Sequence, residues 1–135
     1  MKKCRYDCLT CPYAQTGKVV TSSASSYKHE IETQVDCQTS NVVYCLTCSK
    51  CKEQYIGETE KTFAIRFGQH RGYVRNKELQ KATGAHFNQA GHQMADMKIT
   101  ILEKVKSADA QLRKIRESHY IQKFYTRYKG INKKS

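Results

Sequence analysis

The sequence contains few acidic residues, little or no tryptophan and proline, and no long apolar run. Among its 135 residues there is no tryptophan and one proline, Pro12. No apolar run approaches the ~20 residues that cross a bilayer, so we expect no membrane span. Acidic residues are also scarce, with 12 Asp and Glu against 24 Lys and Arg, which gives a formal net charge of +12. A polyanion, above all nucleic acid, is therefore the expected partner.

A secretory signal is also missing, because the charged stretch MKKCRYDCLTCP is not followed by an apolar segment. We therefore expect an intracellular, reducing compartment, in which disulfides do not persist. Seven cysteines, an odd number, lie within residues 4–51, and most of them are closely spaced. This pattern is typical of metal ligands. The alternative, a secreted and disulfide-bonded cationic protein, would hold neither zinc nor free thiols.

A first zinc site is indicated by a pair of cysteines and a pair of histidines. Cys48 and Cys51 are followed downstream by His86 and His92 in the segment HFNQAGH. The short spacing within each pair allows both side chains to reach one tetrahedral Zn²⁺. Such an ion would hold the histidine segment against the cysteine hairpin. The alternative is that the cysteines are free thiols and the histidines are surface residues.

A second zinc site is indicated near the N-terminus. Cys4, Cys8 and Cys11 are closely spaced. Cys37 is the simplest choice of fourth ligand, although His29 could replace one of the four. Four thiolates would close a structural site and order a segment with little apolar content. The alternative is an unstructured arm with redox-active cysteines.

The pattern of apolar residues predicts a small α/β (α+β) domain. A β-hairpin is expected over residues 41–57, and short strands near residues 19–20 and 31. Helices are expected at 60–76 with Thr59 as N-cap, at 83–89, and at 108–127 with Ser107 as N-cap, with a strand at 96–105 between the last two. The order implies a mixed three-stranded sheet flanked by helices. We divide the chain into a zinc-binding N-terminal extension, residues 1–38, and a domain of residues 39–135.

Two tyrosines on the hairpin and an arginine–histidine pair are candidate catalytic residues. Tyr44 and Tyr55 lie on neighbouring strands, so their hydroxyl groups can converge, although tyrosines are also ordinary strand residues. Arg66 and His70 are one helical turn apart on the face that carries the apolar residues. An arginine on that face needs an anion, such as a phosphate. His70 is either a second polar contact or a satisfied core histidine.

Two further polar residues follow near the end of the chain. Glu117 lies on the inward edge of its predicted helix, where its alternative role is a salt bridge with Arg113 one turn away. Asn132 follows Gly130 in the C-terminal segment, where it could equally belong to a turn.

These residues, taken in order, resemble the GIY-YIG nuclease family, and more closely the endonuclease domain of Penelope-like retroelements. The resemblance is carried by the strand NVVY, by Tyr55-Ile56-Gly57, and then by Arg66, His70, Glu117 and Asn132. The interposed Cys-x2-Cys with HFNQAGH, and the upstream CLTCP, resemble the zinc motifs of the Penelope-like branch. The chain departs from the family pattern at Val42, where glycine is expected.

The resemblance implies a DNA endonuclease with the GIY-YIG fold that depends on Mg²⁺ or Mn²⁺. Glu117 would hold the cation and Arg66 the scissile phosphate, with His70 as a second phosphate contact or proton relay. One of the two tyrosines, with Tyr44 preferred, would accept the proton, and Asn132 would position the pocket. One carboxylate and one cation imply a nick in one strand.

The same resemblance implies a biological setting. The nick would provide a 3′ hydroxyl for target-primed reverse transcription, with the reverse transcriptase domain of the same element as partner and the nucleus as location. The alternative is a catalytically inactive, zinc-stabilised module that binds nucleic acid, which would show salt-dependent DNA binding without cleavage.

Overall fold

The structure is a computed structural model that describes residues 1–5, 8–31 and 34–134. Residues 133 and 134 are described through their backbone only. Its strands are β1 (Val19–Thr21), β2 (Lys28–Glu30), β3 (Ser40–Cys48), β4 (Gln54–Thr62) and β5 (Met97–Lys104). Its helices are α1 (Phe63–Arg75), α2 (Ala82–His86), α3 (Ala110–Phe124) and α4 (Thr126–Lys129). Short 3-10 helices cover Cys11–Tyr13, Met94–Asp96 and Ile131–Lys134.

The central sheet has three strands in the order β4-β3-β5. The middle strand β3 is buried along most of its length, as expected for a strand with neighbours on both sides. The predicted α/β class and three-stranded sheet with flanking helices are confirmed. The predicted mixed pairing is wrong, because β3 pairs antiparallel with both neighbours. The chain returns through α1 to the hairpin-turn end, so β5 begins at Met97 opposite Cys48 and runs against β3.

The helix boundaries differ from the predicted ones for local reasons. Strand β4 continues to Thr62, and the Thr62 side chain, not that of Thr59, caps α1 by accepting a hydrogen bond from the Ile65 N–H. Helix α3 is capped by Asp109, whose side chain accepts from the Gln111 N–H. The expected cap, Ser107, instead accepts from the Asp109 N–H. Acceptor side chains at these positions satisfy the first free N–H groups of each helix.

Val42, where the family pattern has glycine, is accommodated inside a regular strand. Its side chain is completely buried, and its backbone pairs with β4 on one side and β5 on the other. The left-handed backbone lies one residue earlier, at Asn41, with φ of 58°. The Asn41 side chain donates hydrogen bonds to the carbonyl groups of Val105 and Ser107. Asparagine tolerates this conformation, so the strand needs no glycine at residue 42.

The N-terminal extension packs against the domain. Its β1–β2 hairpin is antiparallel, and the Gln15 N–H donates to the carbonyl group of Ile99 in β5. The serine-rich loop between β1 and β2 covers the end of α3, because the hydroxyl groups of Ser22 and Ser25 donate to the carbonyl groups of Phe124 and Lys123. The division at residues 38 and 39 stays a prediction, and residues 6–7, 32–33 and 135 of the two predicted units lie outside the described ranges. Within those ranges, no helix is both long and apolar enough to cross a membrane.

Helix α3 is held against β4 by a nearly buried ion pair. Arg113 Nε donates to Glu58 Oε2 over 2.6 Å, with side-chain exposures of 6% and 16%. Arg113 Nη1 also donates to Asn41 Oδ1 over 2.9 Å. Lys114 reaches the other Glu58 oxygen only at 3.6 Å and is 68% exposed. The pair therefore joins the helix to two strands.

We predict that Arg113→Met lowers the free energy of unfolding by about 3–5 kcal/mol, because it leaves a desolvated carboxylate at Glu58 without its main partner. The matched substitution Lys114→Met should change it by no more than about 1 kcal/mol, as an exposed ion pair contributes little. Urea denaturation at neutral pH measures both values. Equal effects of the two substitutions would contradict this assignment.

Candidate active site

The two tyrosines of the hairpin are placed by the register of β3 and β4. Tyr44 pairs with Gly57 across the two strands, and the Tyr44 ring lies over that glycine. A Cβ atom at residue 57 would overlap the Tyr44 hydroxyl. The glycine of the YIG triplet is therefore required by the ring that crosses it. Tyr55 lies next to Tyr44, with ring centroids 6.5 Å apart.

The Tyr44 hydroxyl is fully buried and joins two residues of α1. Arg66 Nε donates to it over 3.1 Å, and His70 Nε2 lies 2.7 Å from it. Burial and the neighbouring Tyr55 raise the pKa of Tyr44 far above its usual value, while the positive charge of Arg66 acts in the opposite direction. The structure thus brings Tyr44, Arg66 and His70 together around one oxygen atom.

Both ring nitrogens of His70 are engaged. Nε2 meets Tyr44 and Nδ1 lies 2.8 Å from Thr83 Oγ1 in α2. Arg66 can only donate, so the Tyr44 oxygen accepts from it. In the tautomer that carries its proton on Nδ1, His70 accepts from the Tyr44 hydroxyl and donates to Thr83. Burial, helped by the charge of Arg66, lowers the pKa of His70 to about 3. A neutral His70 can accept the hydrogen bond of the Tyr44 hydroxyl, but with both nitrogens engaged it has none left for a phosphate.

Arg66 is half-buried at the edge of a cleft of about 250 Å³. Its Nη1 donates to Gln69 Oε1 over 2.8 Å and to the Tyr73 hydroxyl over 3.3 Å. The cleft is lined by Tyr55, Arg66, His70, Tyr73, Gln80, Lys81, Ala82 and Thr83. The guanidinium group therefore faces a polar opening with room for a phosphate.

Two residues of the cleft, Tyr73 and Lys81, are absent from the sequence-based site. Tyr73 lies two turns after Arg66 on the same helix, a spacing that could have identified it. Lys81 precedes α2, with its Nζ 5.3 Å from the centre of the Tyr73 ring. No short spacing links Lys81 to the other residues, so only the tertiary structure reveals it.

Glu117 in α3 is half-buried and has no hydrogen bond or ion pair with any other residue in the described ranges. Burial and the charge of Glu58 raise its pKa, whereas Lys114, Arg66 and Arg127 lower it. In turn the charge of Glu117 raises the pKa of both Tyr44 and Tyr55. The salt bridge with Arg113 considered above does not form, because Arg113 binds Glu58. Glu117 is thus a desolvated carboxylate near the two phenols with free coordination capacity.

Asn132 lies behind the site. Its buried amide donates to the Ile56 carbonyl group over 2.9 Å and accepts from the Ile56 N–H over 2.7 Å. These bonds fix β4 between Tyr55 and Gly57 from the C-terminal segment. Asn132 therefore bonds to the backbone of β4 and, among the described residues, has no hydrogen bond to the polar groups of the cleft.

Four cysteines near the N-terminus could hold a metal ion. The Sγ atoms of Cys4, Cys8, Cys11 and Cys37 all lie within 4.8 Å of one another. Successive contacts measure 3.7, 3.5 and 3.9 Å. Two thiolates at about 2.3 Å from one tetrahedral Zn²⁺ would be separated by about 3.8 Å. His29 is not part of this group, because its nitrogens meet the Tyr27 hydroxyl and the Leu102 carbonyl group.

A second group consists of Cys48, Cys51, His86 and His92, whose ligand atoms also lie within 4.8 Å of one another. Cys51 Sγ lies 3.3 Å from His86 Nε2. His92 Nε2 is buried without a hydrogen-bond partner in the described part of the chain, while its Nδ1 lies 3.3 Å from the Ala90 carbonyl oxygen. A carbonyl on one nitrogen leaves the lone pair of the other free for a metal. Cys45, the remaining cysteine, is buried and lies in neither group.

The comparison with protein families identifies the region that carries this site. A family model described as the GIY-YIG catalytic domain matches residues 40–132, well over half of the chain. The match extends from β3 to the last 3-10 helix and includes every residue around the cleft. No curated protein and no solved structure matches the chain.

The buried His70 predicts a pH dependence of stability. Its pKa of about 3 in the folded protein lies below the unfolded value of about 6.5. Its contribution is therefore fully present above about pH 6.5 and is lost as the pH falls towards 3. Below pH 6, the free energy of unfolding of the native protein should fall more steeply than that of His70→Gln, by up to about 1.4 kcal/mol per pH unit.

Urea denaturation of both proteins between pH 8 and 5 measures this difference. The other titrating groups, including the metal ligands, are common to both proteins and cancel in the comparison. Parallel curves would show that His70 titrates in the same way in the folded and unfolded states.

Proposed function

Because the chain belongs to the GIY-YIG family, whose catalytic domain is a nuclease acting on DNA, we propose that it is a metal-dependent endonuclease that nicks one DNA strand by hydrolysis. The observation that carries the proposal is that Tyr55 and Arg66 line one polar cleft, with Tyr44 bonded to Arg66 behind it and Glu117 close enough to interact electrostatically with all three. Phosphodiester hydrolysis needs a proton acceptor for water, a cation for the phosphate and support for the leaving oxygen. This set of side chains provides each of these.

Arg66 is proposed to bind the scissile phosphate. It is held by Tyr44, Gln69 and Tyr73, so the guanidinium group is oriented before the substrate arrives. All of these partners are neutral, so an anionic phosphate would be its first full counter-charge among the groups it contacts. Lys81, on the same cleft, would add a second positive charge.

The tyrosines are proposed to divide the proton transfer between them. Tyr44 is the preferred proton acceptor, because its oxygen contacts Arg66, whose positive charge would stabilise the phenolate, and His70 Nε2, through which the phenol proton would leave. Tyr55, which lines the cleft, would orient the water or the phosphate.

Glu117 is proposed to hold one divalent cation, Mg²⁺ or Mn²⁺. A half-buried carboxylate without a protein donor suits a hard cation that retains most of its waters. When bound, the cation would neutralise charge on the phosphate and its leaving oxygen. A single carboxylate of this kind supports cleavage of one strand at a time, which gives a nick.

Zn²⁺ is proposed for both cysteine-containing groups, with a structural role. The first has only thiolate ligands, and the second combines two thiolates with two imidazoles, which are the ligand sets of closed zinc sites. The four-cysteine group also adjoins α1, the helix that carries Arg66. The carbonyl groups of Cys37 and Thr39 accept hydrogen bonds from the N–H groups of Ala64 and Phe63 at the start of this helix. An ion on Cys37 would therefore help to fix the helix that carries Arg66.

The biological role is proposed from the resemblance to the Penelope-like branch. The Cys48–Cys51 pair inserted in the hairpin and the HFNQAGH segment support it. The nick would leave a 3′ hydroxyl that primes reverse transcription in the nucleus, with the reverse transcriptase domain of the same element as partner. A polymerase that extends the nicked strand with a labelled nucleotide would test for this 3′ hydroxyl.

Supercoiled plasmid tests the nuclease activity. With Mg²⁺ the protein should produce relaxed circles without early linear product, and Glu117→Gln and Arg66→Ala should each slow nicking by about 10²-fold or more, because each removes a charge that stabilises the transition state. Glu60→Gln and Arg75→Ala are charge-matched controls at exposed positions and should nick normally.

Absence of relaxed circles, or undiminished nicking by Glu117→Gln, would overturn the enzyme assignment. DNA binding that weakens with salt, with no cleavage in any divalent cation, would favour the inactive binding module instead.

Elemental analysis tests the zinc proposal. The protein should contain two equivalents of zinc, and Cys11→Ser and His92→Ala should each retain one, because each removes a ligand from a different group. Cys45→Ala, a buried cysteine outside both groups, should retain two. Two equivalents in all four proteins would contradict the ligand assignment.

A further inference from the structure

Two exposed tyrosines contact each other at the end of α3. Tyr125 is 42% exposed and Tyr128 is 69% exposed. Their ring centroids lie 5.2 Å apart with planes inclined by 38°. Large aromatic surfaces that remain in water contribute little to folding, and they recur where a partner stacks on them.

The backbone at Tyr125 does not suit a tyrosine. It lies in the left-handed region, with φ of 61° and ψ of 31°, where glycine or asparagine ends most helices of this kind. Its N–H group bonds to the carbonyl groups of Gln122 and Ile121, bonds that any residue except proline could make. The bulky ring is thus held in an unfavourable conformation and is not compensated by burial, which points to a role outside folding.

The segment that carries both rings runs beside the active site. Gly130 passes so close to β4 that an added Cβ would lie 2.6 Å from the Gln54 carbonyl oxygen, and Asn132 is bonded to Ile56. Both contacts flank Tyr55 on the same strand. Arg127, between the two tyrosines, is near enough to Glu117 to lower its pKa. The segment that carries the aromatic pair therefore runs along β4 beside Tyr55, whose side chain lines the cleft.

Positive charge is close to the pair in the sequence. Arg127 and Lys129 are exposed on the same short helix as Tyr128. Exposed rings close to cations in the sequence match a nucleotide, whose base has a flat apolar face and whose phosphates are anionic. A second copy of this chain fits poorly, since each copy carries a formal net charge of +12.

Building on the proposed endonuclease function, we infer that Tyr125 and Tyr128 form a stacking surface for an unpaired nucleobase next to the scissile phosphate. A base within an intact duplex is already stacked on both faces and cannot reach these rings. The favoured substrate would therefore be DNA that contains single-stranded nucleotides at the cleavage site, such as a gap or a flap.

Equilibrium binding tests this inference without cleavage. In a Glu117→Gln background, fluorescence anisotropy at fixed salt compares a labelled duplex with the same duplex containing a short gap. The gapped DNA should bind about tenfold more tightly, and Tyr128→Ala should remove most of this preference with little effect on the intact duplex, in line with the typical contribution of one stacked base. Tyr128→Phe is the matched control and should retain the preference.

A substitution at Tyr125 separates binding from folding. Tyr125→Gly relieves the left-handed backbone, so its thermal unfolding midpoint should equal or exceed that of the parent protein. Its preference for gapped DNA should nevertheless fall by about tenfold. A residue with only a structural role would not give this combination.

Equal affinity for gapped and intact DNA, or a preference unchanged in Tyr128→Ala and Tyr125→Gly, would overturn the inference. The outcome is distinct from that of the plasmid assay. Nicking without a gap preference would support the endonuclease function and contradict the stacking surface. A tyrosine-dependent gap preference without nicking would support the stacking surface and contradict the endonuclease function.

Discussion

The buried hydroxyl group of Tyr44 is the constraint on which the candidate site depends. A hydroxyl removed from water must find hydrogen-bond partners inside the protein. Here Arg66 donates to it, His70 Nε2 lies within hydrogen-bond distance of it, and His70 in turn reaches Thr83. One strand and two helices are thereby joined through a single chain of hydrogen bonds. The same chain keeps a guanidinium group at the edge of the cleft, so the packing of the interior and the orientation of a phosphate ligand have one cause.

The strand and helices that this series of hydrogen bonds joins are also held by contacts outside the cleft. Asn132 fixes β4 through both hydrogen-bonding groups of Ile56, and the carbonyl group of Cys37 receives the N–H of Ala64 at the start of α1. Cys37 belongs to the four-cysteine group, so order in the N-terminal extension is transmitted to the helix that carries Arg66. A domain of this size buries a limited core, and ligand groups that join distant segments compensate for that.

Local patterns in the sequence predicted much of this arrangement, because many of its determinants are close in sequence. The hairpin, the spacing of Arg66 and His70 and the paired metal ligands are each set by a few neighbouring residues. The predicted start of α1 failed because strand and helix follow without a loop, which propensity alone cannot reveal. The antiparallel run of β5, the ion pair between Arg113 and Glu58 and the place of Lys81 depend on contacts between distant segments, for which one sequence carries no signal.

Glu117 and Tyr125 are both residues that destabilise the folded protein at their positions. Burial and the charge of Glu58 disfavour the Glu117 carboxylate, which receives no hydrogen bond within the described ranges, and Tyr125 keeps a bulky ring on a left-handed backbone. Folding alone would favour a neutral side chain at the first position and glycine at the second. Both residues are disfavoured in the folded protein on its own, so the ligands proposed for them would need to bear positive charge at Glu117 and a flat apolar face at Tyr125. A hydrated cation and an unpaired base on one DNA strand have these two properties.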